Sequence, residues 1–451
     1  MKNYDVIVIG GSAAGATAAL TTRKHYPGKS VLMIKNVKNV PIPCGIPYIF
    51  GTVGDPLKNL LPTDTMMASN GVDVVQDEAT KINREFKLVM TASGEGYTYA
   101  KLIVATGSNP IVPPIVGHDL ANVFPIVKDA EYLKNMLETC RKADDFVIVG
   151  GGFIGVEMAE ELKKLRPTAN VTVVEMQAHC LQVVYDQDFC AIAEKALTDQ
   201  GILLLTNETV AAIRGEGKAE TVVLASGKSV KADVVVLGIG CTPNVRLAEE
   251  AGLKIGPARG ILVNRQMMTS DDAIYACGDC ADKVSFFDKK PSGMRLASIA
   301  TAEARIAGAN LFTARRVNDG VVGVFSTAIG KKTFAAAGLT EREAVQKGYR
   351  VVAAESEAVN RHPGSLPGAE PLKVRLLFET GSGLLLGGEV FGAVSGGELI
   401  NVVGALIAKR TTADEIVLFQ AGTHPLLTAS PIAYQLVNAA ESAIVKMNRY
   451  V

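Results

Sequence analysis

One local pattern occurs twice in this 451-residue chain and limits how it can fold more than any other feature. Residues 4–9, YDVIVI, read as a short buried strand running into Gly10-Gly11-Ser12-Ala13-Ala14-Gly15 and then an Ala-rich segment. Residues 146–149, FVIV, read the same way, followed by Gly150-Gly151-Gly152-Phe153-Ile154-Gly155-Val156-Glu157 and a charged amphipathic stretch to about Leu165. A further strand follows each predicted helix, at 30–34 and at 170–174. A chain that turns sharply from strand to helix needs glycine at the turn, and the helix N-terminal amides then point at an anion on the loop. Two such units predict two separate nucleotide-binding domains.

The two loops differ in detail. The second matches GxGxxG through Gly150, Gly152 and Gly155, and Glu175 closes the next strand twenty residues after Gly155. A carboxylate there accepts hydrogen bonds from a ribose 2′-hydroxyl and repels a 2′-phosphate. Met176, Gln177 and Ala178 add no cation, so NADH is favoured over NADPH, with His179 left open as help for a phosphate. In the first loop Ser12 replaces the second glycine, and Lys35 stands where the ribose-binding acid is expected.

Three more strand-to-turn segments follow the same texture: 102–108 with Thr106-Gly107, 233–244 with its Gly-Pro turn, and 274–279 ending in Gly278-Asp279. Residues 296–309 predict a helix with a small-residue face. From about residue 323 short alternating strands and two closing helices, near 396–409 and 430–447, predict a separate α+β domain. The expected fold class is therefore α/β, with two Rossmann-like dinucleotide-binding domains and a C-terminal α+β domain. Lys plus Arg and Asp plus Glu both number 46, which argues against nucleic acid or an anionic membrane as partner. Asp5 interrupts the apolar opening and no run of about 18 apolar residues exists, so neither signal peptide nor membrane span is expected. Seven scattered cysteines suit reduced thiols in the cytoplasm. Cys277 and Cys280 form one C-x-x-C without a second pair, so no metal site is expected.

In this order these motifs resemble the pyridine nucleotide–disulfide oxidoreductase superfamily over essentially the whole chain. The resemblance implies an FAD-binding domain in two parts, 1–117 and 244–321, an NAD-binding domain at 118–243, and a dimerisation domain at 322–451 in a homodimer. It implies that Gly10, Ser12, Ala13, Ala14 and Gly15 hold the FAD pyrophosphate and that Asp279 bonds the ribityl chain. Thr106 and Gly107 would mark the crossing between the nucleotide domains. Lys35, Pro43, Ala79 and Ala105 are implied as further cofactor contacts, with Gly240, Gly278 and Ala297 from the later segments. Phe153 is implied to stack over the isoalloxazine until nicotinamide displaces it, with Ile154 and Glu157 beside the nicotinamide.

Within the superfamily, residues 40–48, VPIPCGIPY, are similar to the CGxPY signature of the single-cysteine branch: coenzyme A-disulfide reductases, NADH oxidases and NADH peroxidases. The two-cysteine branch places its second cysteine where this chain has Ile49. A lone Cys44 cycles through a mixed disulfide or persulfide with a small thiol, or through a sulfenic acid. Cys44 also precedes an expected helix start, and a helix N-terminus lowers a thiol pKa. The competing reading, a small buried hydrophobe, is preferred for Cys140, Cys180, Cys190 and Cys241.

Departures bear on the acceptor. Val40 and Pro43 stand where coenzyme A-disulfide reductases usually carry Ser and Asn, and Ser365-Leu366 stands where they carry Tyr-Tyr. Arg23-Lys24 resembles the pair that meets coenzyme A phosphates. His424, in Thr423-His424-Pro425, looks like the base of two-cysteine reductases, although its usual carboxylate partner is replaced by Ala429. Arg361 and His362 are further candidates for an acceptor pocket or a coenzyme A channel. The expected function is an FAD-dependent NADH oxidoreductase that reduces a small disulfide, persulfide or polysulfide through Cys44. The alternative is an NADH oxidase or peroxidase using a Cys44 sulfenic acid or direct reaction of flavin with oxygen. Coenzyme A stays open as a partner.

Overall fold

A strand covered on both faces loses the alternation of inside and outside residues. Residues 6–9 show this: Val6, Ile7 and Val8 are fully buried and Ile9 nearly so. Each such side chain contributes roughly 1.5–3 kcal/mol by leaving water, so these runs commit the chain to parallel sheets lined with helices. The computed structural model describes residues 1–447. In chain order the elements used below are β1 (Lys2–Ile9), α1 (Ala13–His25), β2 (Val31–Lys35), β3 (Asp73–Gln76), β4 (Ala79–Asn83), β5 (Leu88–Thr91) and β6 (Gly96–Val104). Next come β7 (Asp145–Val149), α2 (Phe153–Leu165), β8 (Asn170–Val174), β9 (Ile202–Leu205), β10 (Val234–Leu237), β11 (Ile274–Ala276) and α3 (Ala297–Asn310). The chain closes with β12 (Val324–Ile329), β13 (Lys332–Gly338), β14 (Val351–Val359), β15 (Pro371–Glu379), β16 (Leu385–Gly392), α4 (Gly396–Ala408) and α5 (Gln435–Met447).

The polypeptide divides into two units. The first comprises residues 1–114, 121–143 and 239–321. Its sheet has the order β3-β2-β1-β6-β5-β4, with β11 also paired to β6. The β1–β2 and β1–β6 pairs are parallel, with Ile9 opposite Ile34 and Val104, so three strand ends share one edge. Helix α1 is rich in alanine, the best helix former, and its small face lets α3 come close. A Cβ on Gly308 of α3 would lie 2.7 Å from the Ala18 carbonyl oxygen.

The second unit comprises residues 115–120, 144–238 and 322–451. Here β9-β8-β7-β10 run parallel, with Val149 opposite Val174 and Leu237. A separate antiparallel sheet, β12-β13-β16-β15-β14, carries α4 and α5. The α/β class with Rossmann-type βαβ units and a C-terminal α+β segment expected from the sequence is the class observed.

Candidate active site

In the first unit, β1 ends at Gly10, which adopts a φ of +119°. Its N–H donates to the Ile34 carbonyl at 2.8 Å, tying the turn to β2. A Cβ on Gly15 would fall 1.9 Å from the Gly10 carbonyl oxygen, so only glycine lets the first turn of α1 pass. Ser12 caps α1 from an extended conformation without a side-chain hydrogen bond, and no acid lies in the first turn. The α1 amides are thus positioned for an anion. Around this loop the structure gathers several expected residues. A Cβ on Gly10 would strike the Ala105 carbonyl, and one on Gly278 would lie 2.7 Å from the Ala14 Cβ. Thr106 donates to the Asn244 carbonyl at 2.7 Å. Ala79 opens β4 just after Asp77, whose N–H donates to the Lys35 carbonyl.

Asp279 accepts a hydrogen bond from Ser108 at 2.7 Å, and the Lys128 ammonium lies 3.5 Å away. Behind it, a buried ion pair between Lys283 and Glu303 (2.7 Å) holds the turn. Glu303 accepts from the Gly278 N–H at 2.9 Å, and Lys283 donates to the Gly278 carbonyl at 2.8 Å. Lys128, Lys283 and Glu303 were not legible as site residues, because nothing local in the sequence marks them. Cys277 and Cys280 are fully buried, and burial pushes both thiols up. Among the described residues no group of three or more His, Cys, Asp or Glu side chains is placed to hold a metal ion.

Cys44 is the one exposed thiol among the described residues. It sits in a three-residue 3₁₀ turn, Pro43–Gly45, followed by a π turn at Ile49–Val53. The helical stretch expected just after Cys44 is present, built as 3₁₀ and π turns and not as a regular α-helix. Pro47 has no N–H, so the i→i−4 bond to Pro43 that would begin an α-helix cannot form. The turn is instead pinned by buried Asn59, whose side chain donates to the Ile42 carbonyl at 3.0 Å. Ile49 is fully buried.

In the second unit, Gly150 (φ +104°) donates to the Val174 carbonyl at 2.8 Å, and a Cβ on Gly155 would lie 1.8 Å from the Gly150 carbonyl oxygen. The Glu175 carboxylate accepts from the Gly151 N–H at 2.6 Å and from the Gln177 N–H at 2.7 Å. His179 is taken up by Glu194, 3.1 Å away. One turn into α2, Glu157 accepts from the Thr327 hydroxyl at 2.8 Å. Burial pushes its carboxyl up to about 7; Glu160 and Glu161 push the same way and Thr327 opposes them. The Phe153 ring stacks on Phe325, with centroids 5.4 Å apart and planes at 7°.

These two cradles, each with an uncapped helix start and no acid in the first turn, fit two dinucleotide pyrophosphates. Residues 4–304 match the family described as "Pyridine nucleotide-disulphide oxidoreductase", and residues 324–432 match its dimerisation domain. The chain belongs to the pyridine nucleotide-disulphide oxidoreductase family. It is 30% identical over 455 residues to the NADH oxidase of Methanocaldococcus jannaschii, covering 98% of this chain and 99% of that one. It is 31% identical over 416 residues to the NAD(P)H sulfur oxidoreductase (CoA-dependent) of Pyrococcus abyssi, covering 91% and 92%. The solved NAD-dependent persulfide reductase from A. fulgidus matches with a TM-score of 0.91 at 30% identity, covering 99% of this chain and 84% of that one. This pyridine nucleotide-disulphide oxidoreductase is an enzyme of an FAD- and NAD(P)H-dependent family. Among the described residues no helix is long and apolar enough to cross a membrane.

The remaining candidates of this family member divide. Arg23 is used up at the end of α1, donating to the carbonyls of Asn70, Pro27 and Lys29, while Lys24 is exposed. His424, in the second unit, is exposed, and its Nδ1 accepts from the Leu426 N–H at 3.2 Å. That contact leaves Nε2 as the protonated nitrogen of the neutral ring. His362 joins this turn, its Nδ1 lying 3.0 Å from the Thr428 carbonyl, whereas the Arg361 guanidinium turns to the Pro367 carbonyl.

Proposed function

We propose that this chain is an FAD-dependent NADH oxidoreductase that reduces a small disulfide, persulfide or polysulfide, with coenzyme A as a candidate thiol. The observation that carries this reading is the solitary exposed thiol of Cys44 in its CGIPY turn, with a buried isoleucine where a second cysteine would stand. We assign FAD to the Gly10–Gly15 loop with Thr106, Gly107 and Asp279, and NADH to the Gly150–Gly155 loop with Glu157 and Glu175. When bound, FAD accepts hydride from reduced nicotinamide and passes the electron pair on to sulfur. Glu175 receives the ribose hydroxyls and discourages a 2′-phosphate. The Cys44 thiolate attacks one sulfur of the acceptor, releases the other as thiol, and holds the first as a mixed disulfide until two electrons restore it. Overall, one disulfide, NADH and a proton give two thiols and NAD⁺. His424 is the proposed proton donor to the leaving thiolate.

The domain boundaries proposed are those expected from the sequence: 1–117 and 244–321 for FAD, 118–243 for NAD, and 322–451 for dimerisation. A homodimer is supported by the dimerisation-domain match and by the exposed apolar side chains Leu418, Leu427 and Ile432. A cytoplasmic home is supported by seven cysteines with no disulfide among the described residues. The second reading, an NADH oxidase, is favoured by the naming of the Methanocaldococcus relative.

The test is anaerobic NADH consumption with coenzyme A disulfide as sole acceptor, in the purified protein and in Cys44→Ser. Consumption with release of free thiol, lost in the variant while flavin reduction by NADH persists, is the expected result. No anaerobic turnover with rapid oxidation in air would replace this reading by the oxidase.

A further inference from the structure

Strand β12 alternates from Phe325 onward. Phe325, Thr327 and Ile329 face inward, while Ser326 and Ala328 are exposed. The inward residues meet one face of α2 in order. Phe325 stacks on Phe153, Thr327 donates to Glu157 at 2.8 Å, and just past the strand the Gly330 N–H donates to Glu160 at 2.9 Å. The spacing explains the fit: two residues of strand advance about 6.6 Å and four residues of helix about 6 Å. Side chains two apart on the strand therefore meet side chains one turn apart on the helix. Phe153 is also touched edge-on by Tyr185, centroids 6.1 Å apart. Its ring therefore has neighbours from two separate segments.

We propose that Thr327 is a positioning residue of the nicotinamide site. Its hydroxyl engages Oε1 of Glu157 and so reserves Oε2 for the nicotinamide carboxamide, while Phe325 stacks on the Phe153 ring. This inference depends on the assignment of NADH to the Gly150–Gly155 loop made above. It gives a strand of the dimerisation-matched segment a part in nucleotide recognition. The hydroxyl has a second consequence. A donor to the carboxylate favours its charged form, in opposition to burial and to Glu160 and Glu161 on the same helix. Lys164 pairs with Glu160 and Glu161, Tyr185 faces Glu157 from the 181–186 turn, and buried Glu389 on β16 faces Tyr185. With the Thr327 donor removed, Glu157 holds its proton to higher pH.

The experiment is calorimetric binding of NAD⁺ and of ADP-ribose, which lacks only the nicotinamide, to the flavin-loaded enzyme. The proteins compared are wild type, Thr327→Val, Thr327→Ser and Glu157→Ala. Expected for Thr327→Val is an NAD⁺ affinity lower by about tenfold, the effect of losing a hydrogen bond to a charged group, with ADP-ribose unchanged. Expected for Thr327→Ser is recovery. The wild-type NAD⁺ affinity should fall on acidification through about pH 7, and the midpoint should move upward in Thr327→Val. Equal losses for both ligands, no loss for either, or an unmoved midpoint would overturn the inference. Glu157→Ala separates the two levels. If it discriminates NAD⁺ from ADP-ribose and Thr327→Val does not, only the role of Thr327 falls. If neither variant discriminates, the nicotinamide assignment falls with it.

Discussion

The two glycine-rich loops follow almost the same backbone path and end in opposite chemistry. Gly10 and Gly150 have φ of +119° and +104°, and each donates at 2.8 Å to the last residue but one, or last, of the neighbouring strand, Ile34 or Val174. Ser12 (φ −88°, ψ −166°) and Gly152 (φ −74°, ψ −176°) are conformationally equivalent, both within reach of any L-residue. Serine in place of the second glycine therefore alters little in the fold. The real divergence comes after the next strand. Glu175 turns its carboxylate back onto its own loop, at the Gly151 and Gln177 amides. Lys35 packs its stem against Gly11 and sends its ammonium away, to the Lys38 carbonyl at 2.9 Å and Asp64 at 2.8 Å. Strand-to-helix geometry sets the loop; in the proposed assignment, the residue at the end of the following strand sets what the loop accepts.

The sharpest way to break this comparison is to obstruct each loop at its tightest point. Gly15→Val and Gly155→Val both force a Cβ to within 2 Å of a carbonyl oxygen, a clash at the upper end of the roughly 1–3 kcal/mol that overpacking costs. If the loops serve separate nucleotides, Gly155→Val remains a yellow protein that NADH no longer reduces, and Gly15→Val emerges without flavin. Flavin absorbance of the purified proteins, followed by anaerobic NADH titration, reads both. Loss of flavin from both variants would mean that the loops are not functionally separable.

Much of this was legible from local pattern, and the parts that were not share a cause. β8 falls at 170–174 as expected, and the 296–309 helix is α3, displaced by one residue, because strand burial and helix propensity act within a few neighbours. The helical stretch after Cys44 follows local pattern too, and only its 3₁₀ and π form departs from a regular α-helix, because Pro47 lacks a donor. The buried Lys283–Glu303 pair and the Thr327–Glu157 hydrogen bond are of another kind. Their partners lie 20 and 170 residues apart, and in one sequence a buried charged pair looks like any two surface charges. Only the fold reveals that Glu303 belongs to the Gly278 turn.

A smaller effect comes from exchanging the divergent residues. Glu175→Ala removes the proposed acceptor for ribose hydroxyls, and NADH affinity should fall by about tenfold to a hundredfold, as for a charge-assisted hydrogen bond. NADPH should lose nothing or gain, because the repulsion of its 2′-phosphate goes with the carboxylate. Lys35→Met should change flavin retention far less. Its ammonium is turned away from the loop, onto the Lys38 carbonyl and Asp64. Steady-state KM values for both nucleotides, with flavin release on dilution, check the asymmetry. A Lys35→Met protein that loses flavin as readily as Glu175→Ala loses NADH would mean that Lys35 does in the first loop what Glu175 does in the second.

The smallest effects test whether Ser12 and Gly152 are as equivalent as their dihedral angles imply. A Cβ on Gly152 meets nothing within 4 Å, and the residue is exposed, so Gly152→Ser should stabilise by about 0.4–1 kcal/mol, through the lesser freedom of the unfolded chain. Ser12→Gly should cost about 0.4–1 kcal/mol, through the greater freedom of the unfolded chain alone. Function should respond in the opposite order. If Gly152 is where the backbone comes close to a pyrophosphate, as proposed, Gly152→Ser should raise the KM for NADH by a few fold, while Ser12→Gly should leave it unchanged. Thermal unfolding and NADH titration of both variants give the four numbers. A Gly152→Ser protein destabilised by clearly more than Ser12→Gly would show that matching backbone angles do not make these positions interchangeable. A Gly152→Ser protein with unaltered KM would move the close approach of the pyrophosphate elsewhere on the loop, to the Phe153 and Ile154 amides at the start of α2.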